Sequence, residues 1–207
     1  MRKEKWLDFL DKYALVKQLY QESEETDPEL KTNLQPLNEF RAVLDHVCRL
    51  LQYEMDDSSG TDAAQFDEEY RKARSHICRA FFDVSDMLSI NYRNKIIDFL
   101  SPFSWEVLRT VLPDYYPAFK PDIERISRRI GTYRNEKGQK DENELFEAYK
   151  TDVTVLRDIY IKILNTSPSL NELQNELQSR KRKHKAGFWS GWLFGLISLL
   201  LAFATSC

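Results

Sequence analysis

The sequence predicts an all-α protein, made of a helical bundle, a C-terminal stalk helix and a single transmembrane helix. Apolar residues recur at intervals of three and four along most of the chain, which is the spacing of one helix face. Only six glycines occur in 207 residues, and three of them lie in residues 186–207. That last segment carries no charged side chain, and no part of the chain shows the alternating pattern of a β-strand.

The first three helices are predicted from apolar stripes that we expect to face the core. The first stripe ends near residues 24–28, and the loop 56–61 (DDSSGT) follows the second. Residues 92–100 extend the third helix or begin a new turn. The stripes are Trp6, Phe9, Leu10, Tyr13, Val16 and Leu19; Leu37, Phe40, Val43, Leu44, Val47, Leu50 and Leu51; and Phe66, Tyr70, Ala73, Ile77, Ala80, Val84 and Met87.

Prolines divide the next part of the chain. Pro102, Pro113, Pro117 and Pro121 confine a short helix around residues 105–111, because proline removes a backbone donor and clashes within a helix. The aromatic run YYPAF between these prolines is expected to be a packed loop or a partner contact. Two further helices are predicted at 122–133 and 142–164.

Residues 166–185 are predicted to form a stalk helix between two larger parts, a cytoplasmic bundle at 1–165 and a membrane anchor at 186–207. Leu170, Leu173 and Leu177 lie within one heptad, as in a short coiled coil. The stalk ends in the basic cluster 180–185 (RKRKHK).

Residues 186–207 are long enough to cross a bilayer, which takes about 20 helical residues. The basic cluster before them places the N-terminal domain in the cytoplasm, according to the positive-inside rule. We therefore expect a single-pass, C-tail-anchored membrane protein. The alternative is a buried apolar helix, but core helices rarely lack a polar face.

Small residues recur on one face of this segment and predict a homo-oligomer. Such a stripe lets membrane helices approach each other closely. The alternative is that glycine is simply common in membrane helices. The stripe consists of Gly187, Gly191, Gly195, Ser198 and Ala202.

Charge argues against bulk nucleic-acid binding. Residues 1–179 hold 25 basic and 33 acidic side chains, a balance of −8. Three cysteines give no paired framework, which fits a reducing compartment, and no cofactor is expected.

Two segments thirty residues apart resemble each other: 41–49 (RAVLDHVCR) and 71–79 (RKARSHICR). Each carries Arg-x4-His, formed by Arg41 and His46 and by Arg71 and His76, followed by x-Cys-Arg. On a helix, His-x-Cys separates the two side chains by about 200°, so neither zinc nor a Cys–His nucleophile is predicted. Each cysteine is expected to be a buried hydrophobe.

The repeated histidines have two interpretations. The first is a polar girdle between two packed helices, with Arg41 and Asp45 as an i,i+4 pair. The second is that both helices pack together and bring two Arg-His sets to one cleft.

Arg-x4-His on a helix of a small α-bundle resembles the HEPN superfamily, whose members cleave RNA with Arg-x4-6-His at a dimer interface. The resemblance implies that His46 or His76 acts as general acid or base and that Arg41 or Arg71 stabilises the phosphorane charge. Active members usually carry Asn, Asp or His directly after this arginine, where the chain has Ala42 and Lys72. In architecture the chain is also similar to CRISPR-accessory membrane proteins that assemble into rings.

A basic stripe lies on the helix after Pro121, and it could bind the phosphates of a nucleotide signal or of RNA. The alternative is a solvated face paired with acidic residues. The stripe consists of Arg125, Arg128, Arg129 and Arg134.

Two functions are therefore predicted. One is a non-enzymatic membrane effector or adaptor that self-associates through its membrane helix and stalk, with pore formation and antiviral defence as expected roles. The other is a membrane-tethered, metal-independent HEPN-type ribonuclease.

Overall fold

A computed structural model describes residues 2–27, 29, 32–55, 63–136 and 141–183, and over these ranges the chain is helical with no strand. The helices are α1 (Arg2–Thr26), α2 (Leu34–Met55), α3 (Ala63–Leu100), α4 (Trp105–Val111), a π-helix (Tyr115–Phe119), α5 (Lys120–Glu136), α6 (Glu142–Asn165) and α7 (167–183). The predicted all-α fold is confirmed. The third predicted helix runs without a break to Leu100.

Helix starts are set by side chains that accept hydrogen bonds from free backbone amides. Asp141 accepts from the amides of Asn143 and Glu144 at 2.9 and 3.0 Å and so begins α6. Asn33 accepts from the amide of Gln35 at 3.2 Å before α2. These caps explain why both helices begin where the polar loops end.

Helix α3 is the centre of the bundle, with α1, α2 and α6 packed around it. Phe81 of α3 stacks on Phe146 of α6, with ring centroids 3.7 Å apart. At the other end of the interface, Arg157 of α6 donates to Glu22 of α1 at 2.7 Å, and Tyr92 of α3 donates to the same carboxylate. Helix α5 packs against α6 and α3, and its Ile126 is fully buried in the same core.

The prediction for the core face of α2 is wrong in part. Val43 and Leu50 are buried, whereas Leu44 and Leu51 of the same stripe are exposed. The apolar residues of α2 cover more of the helix surface than one neighbour can bury, so spacing alone does not identify the inward side. Helix α2 thus keeps an apolar face outside the bundle.

The run YYPAF is a π-helix and not the expected loop. Its last residues lead directly into α5, so Pro117 and Pro121 lie within helical structure. The first turns of α7 pack on the bundle through the predicted heptad: Leu170 is fully buried, and Leu173 and Leu177 are partly buried against the core. Gln174 donates to the carbonyl of Pro102 at 3.2 Å.

Within the part of the chain that the structure describes, no helix combines the length and apolar character needed to cross a bilayer. The predicted transmembrane helix at 186–207 lies outside the described residues. The same holds for its small-residue stripe of Gly187, Gly191, Gly195, Ser198 and Ala202.

Candidate functional site: a histidine pair between two helices

The two repeated segments lie opposite each other on α2 and α3. These helices are antiparallel, because Asn33, Glu39 and His46, in chain order, contact progressively earlier residues of α3. The packing brings the rings of His46 and His76 together, with centroids 5.2 Å apart and planes 28° from parallel. The second interpretation of the repeats expected two Arg-His sets at one cleft; the two histidines meet, but Arg41 and Arg71 are not beside them.

Each histidine contacts a glutamate of the other helix. Nδ1 of His46 lies 2.7 Å from Oε2 of Glu69, and Nδ1 of His76 lies 2.7 Å from Oε2 of Glu39. Each helix therefore contributes one histidine and one glutamate. The result is a crossed arrangement that ties the helices together at two points.

An arginine completes each pair. Arg49 donates to Glu69 at 3.0 Å, and Arg79 donates to Glu39 at 3.0 Å. Each arginine lies three residues after a histidine on the same helix, one turn along the same face. We call the six residues the histidine cluster: Glu39, His46, Arg49, Glu69, His76 and Arg79.

The glutamates were missed by the sequence analysis, although the repeat contains them. Extending both segments by two residues gives Glu39-Phe40 and Glu69-Tyr70, so the thirty-residue spacing continues. Glutamate and histidine are seven residues apart on each helix, which is close to two full turns. The spacing therefore places both on the side of the helix that faces its neighbour.

Hydrogen bonding strongly favours the charged form of Glu69. The bond from His46, with further donors from Lys72 and Arg49, lowers the pKa of Glu69 to about 2 against the opposing effect of burial. The carboxylate is therefore ionised throughout the physiological range. In the tautomer in which Nδ1 of His46 donates to this carboxylate, the basic lone pair of the ring is on Nε2.

This arrangement is chemically competent for proton transfer. Two imidazoles with Nδ1 held by carboxylates present two Nε2 atoms, one able to act as base and the other, when protonated, as acid. The side chains of His46 and His76 are 12% and 22% exposed, so solvent reaches both. The same contacts also serve as a polar girdle between α2 and α3, which was the first interpretation of the repeats.

The two arginines chosen from the sequence lie elsewhere. Arg71 forms a bidentate pair with Glu68 of its own helix, at 3.0 and 2.9 Å. Arg41 lines a groove between α1 and α2. Five residues of helix rotate a side chain by about 140°, so the arginine of Arg-x4-His points away from its histidine, while the arginine of His-x2-Arg stays beside it.

Three of the four arginines in the basic stripe of α5 form ion pairs with aspartates. Arg125 contacts Asp122 at 2.5 Å, and Arg134 contacts Asp86 at 2.9 Å. Arg129 pairs with Asp152, whose side chain is 1% exposed and whose pKa is raised by burial against the pull of Arg129. Arg128 is exposed.

The two cysteines of the repeats differ from each other. Cys78 is buried as predicted, and burial raises the pKa of its thiol to about 12. Cys48 is exposed, so the prediction for it is wrong. Among residues 2–183 outside the gaps, no group of three His, Cys, Asp or Glu side chains is placed to hold a metal ion.

Neither family models, nor curated proteins, nor solved structures give a match to this chain.

Proposed function

We propose that this chain is a membrane-tethered helical effector or adaptor that acts by self-association and not by catalysis. The observation that carries the proposal is the course of α7. This helix is anchored in the bundle by Leu170, its residues from 178 to 183 are all exposed, and it leads directly into the basic cluster. A rigid helical connection of this kind supports a stalk between the bundle and the uncharged segment 186–207.

The chemistry of that segment supports the membrane part of the proposal. Twenty-two uncharged residues span the hydrocarbon core, and the preceding lysines and arginines stay with the anionic cytoplasmic surface. The spacing of Gly187, Gly191 and Gly195 suits close approach of two such helices. The bundle would then face the cytoplasm, with the membrane as its first partner.

In this proposal the assembled bundles receive a protein or nucleotide signal, and assembly acts on the membrane, with permeabilisation as the expected outcome. A role in antiviral defence follows from the architectural likeness to ring-forming CRISPR-accessory membrane proteins. A basic, partly paired α5 is where a phosphate-bearing signal would bind, through Arg128 and its neighbours.

The test is the mass of the full chain in a mild detergent, measured by light scattering with the detergent subtracted. We expect a discrete oligomer for the native chain and a smaller species for the variant Gly191→Leu/Gly195→Leu. Ala204→Leu adds the same side chain at a position away from the small-residue stripe and serves as the control. An unchanged mass in the double variant would contradict association through this stripe.

A second candidate is a HEPN-type ribonuclease, and the stacked pair of His46 and His76 favours it. One imidazole would deprotonate a ribose 2′-hydroxyl for attack on the adjacent phosphorus, and the other would protonate the leaving 5′-oxygen. Arg49 and Arg79, which lie beside the histidines, would stabilise the phosphorane in place of Arg41 and Arg71.

This candidate is tested by incubating the full chain in detergent with single-stranded RNA and a metal chelator. We expect cleavage to be lost in His46→Ala and in His76→Ala and kept in His184→Ala, which removes the one histidine outside the cluster. The absence of cleavage by the native chain, or cleavage that survives both substitutions, would exclude the histidine pair as a catalytic site.

A further inference from the structure

The outward face of α2 carries a heptad pattern of its own. Seven residues follow one another at alternating intervals of three and four, which is the spacing that keeps side chains on one seam of a coiled coil. Six of them are leucine, cysteine or methionine, and one is arginine. We call them the outer stripe: Leu34, Leu37, Arg41, Leu44, Cys48, Leu51 and Met55.

The outer stripe is separate from the face of α2 that the bundle buries. Val43 and Leu50 are 4% and 1% exposed and point into the core. Leu34, Leu44 and Met55 are 69%, 61% and 79% exposed. Helix α2 therefore has two apolar faces, and within the described bundle the outer one is left largely uncovered, with Leu37 as its partly buried member.

Helix α1 adds depth to this surface. A groove of about 550 Å³ runs between α1 and α2, with Leu10 and Tyr13 on one side and Phe40 and Leu44 on the other. Leu10 is itself 53% exposed. Such a groove provides the holes into which the apolar side chains of another helix can pack.

Two charges on α2 identify what fits the groove. Arg41 lies within the outer stripe and Asp45 lies beside it, and neither forms a hydrogen bond or ion pair with any residue in the described ranges. The i,i+4 pair expected between them is therefore not formed. A surface that holds one unpaired cation and one unpaired anion next to an apolar stripe is complementary to itself.

We infer that the outer stripe is covered by the outer stripe of a second copy of this chain, with the two α2 helices antiparallel. A two-fold axis near Ala42 and Val43 places Arg41 against Leu44 of the second copy, and the adjacent Asp45 of that copy then meets the guanidinium. In a parallel pair, Arg41 of one chain would instead lie against Arg41 of the other chain, and the two like charges would repel each other.

This interface lies apart from the histidine cluster and from the membrane segment. Glu39 and His46 are on the side of α2 that faces α3, so pairing leaves their contacts with Glu69 and His76 intact. The inference therefore goes beyond the proposed function, because it places a self-association surface in the helical domain itself. The inferred α2–α2 interface can be tested separately from any association through the membrane helix.

The test is a charge reversal in the full chain, made in the Gly191→Leu/Gly195→Leu background and measured by light scattering in detergent over a range of concentrations. We expect this background to be dimeric. Arg41→Asp and Asp45→Arg should each weaken the dimer at least tenfold, because each places like charges together. The combined variant Arg41→Asp/Asp45→Arg restores opposite charges across the interface and should recover most of the affinity.

Leu44→Glu, made in the same Gly191→Leu/Gly195→Leu background, tests the apolar part of the same interface, and Ile90→Glu is its matched control. Leu44 is exposed on α2 and Ile90 is exposed on α3, so neither substitution disturbs the core. Far-ultraviolet circular dichroism checks that both variants keep their helices. We expect a monomer for Leu44→Glu and an unchanged dimer for Ile90→Glu. A dimer that survives Leu44→Glu, or a combined charge variant no tighter than the single ones, would overturn the inference.

The glycine and stripe variants also separate the two proposals. If Gly191→Leu/Gly195→Leu leaves the native mass unchanged while Leu44→Glu lowers it, the outer stripe is supported and association through the membrane helix is refuted. If the glycine variant alone reduces the mass, and does so to a monomer, the outer stripe is refuted.

Discussion

Replacing Glu69 by Gln should destabilise the bundle by about 2 kcal/mol at neutral pH. The carboxylate is 11% exposed and accepts from His46 at 2.7 Å and from Arg49 and Lys72 at 3.0 Å each. A pKa lowered from 4.5 to about 2 corresponds to an upper bound of about 3 kcal/mol. Because the side chains of Arg49 and Lys72 are 49% and 40% exposed, solvent screening reduces this to about 2 kcal/mol.

The pH dependence of the effect has a definite sign. The pKa of Glu69 is lower in the folded chain than in the unfolded one, so its stabilisation is fully present above about pH 5 and is lost as the pH falls towards 2. At pH 3 more than half of the difference between the native chain and Glu69→Gln should have disappeared. Glu39→Gln is the symmetric control. Its carboxylate contacts two groups, His76 and Arg79, where that of Glu69 contacts three, so the substitution should cost about 1 kcal/mol.

The assay is urea unfolding of the full chain in a non-ionic detergent, followed by circular dichroism at pH 7 and at pH 3. If the free energy of unfolding falls with urea concentration at the same slope in the native and variant chains, the difference between their urea midpoints measures the change in stability. The reasoning is refuted if Glu69→Gln unfolds within 0.5 kcal/mol of the native chain at pH 7, or if Glu39→Gln costs more than Glu69→Gln. A Glu69→Gln effect that is equally large at pH 3 would refute the assigned cause.

Three further outcomes are expected. Leu156→Ala should cost 2 to 5 kcal/mol by the same assay, because the side chain is fully buried, whereas Leu164→Ala, 43% exposed, should cost less than about 1 kcal/mol; equal losses would contradict the assigned core. Maleimide labelling of the Leu44→Glu variant, in which the outer stripe is uncovered, should modify Cys48 within minutes and Cys78 only after unfolding, since Cys78 is buried with a raised pKa; rapid labelling of Cys78 in the folded chain, read by peptide mass spectrometry, would contradict its position. Asp141→Ala should lower stability by about 1 kcal/mol, because two amides of α6 lose their acceptor; no change would show that another group caps the helix.

The helices could be predicted from the sequence because their signals are local. Apolar spacing and the polar loops between the stripes identify α1, α3 and α6 without knowledge of any neighbour. The exception is α2, where Leu44 and Val43 are equally apolar and only the positions of α1 and α3 decide which of them is buried. An apolar face as wide as that of α2 indicates, from the sequence alone, that part of it stays outside the bundle.

The candidate site could be predicted only in part, for a related reason. The thirty-residue repeat correctly identifies His46 and His76 as partners. It does not say which arginine accompanies them, since Arg41 and Arg49 flank His46 at different angles around one helix. The glutamate that holds each ring comes from the opposite helix, and that choice depends on the register of two antiparallel helices.

Alkaline extraction of membranes from cells that express the full chain tests the proposed attachment to the membrane through residues 186–207. The native chain is expected to stay in the carbonate-resistant pellet. Leu196→Arg/Leu199→Arg should move to the supernatant, because each buried charge costs about 2.5 to 3.5 kcal/mol at the centre of a membrane helix. Release of the native chain into the supernatant by carbonate would contradict attachment through residues 186–207.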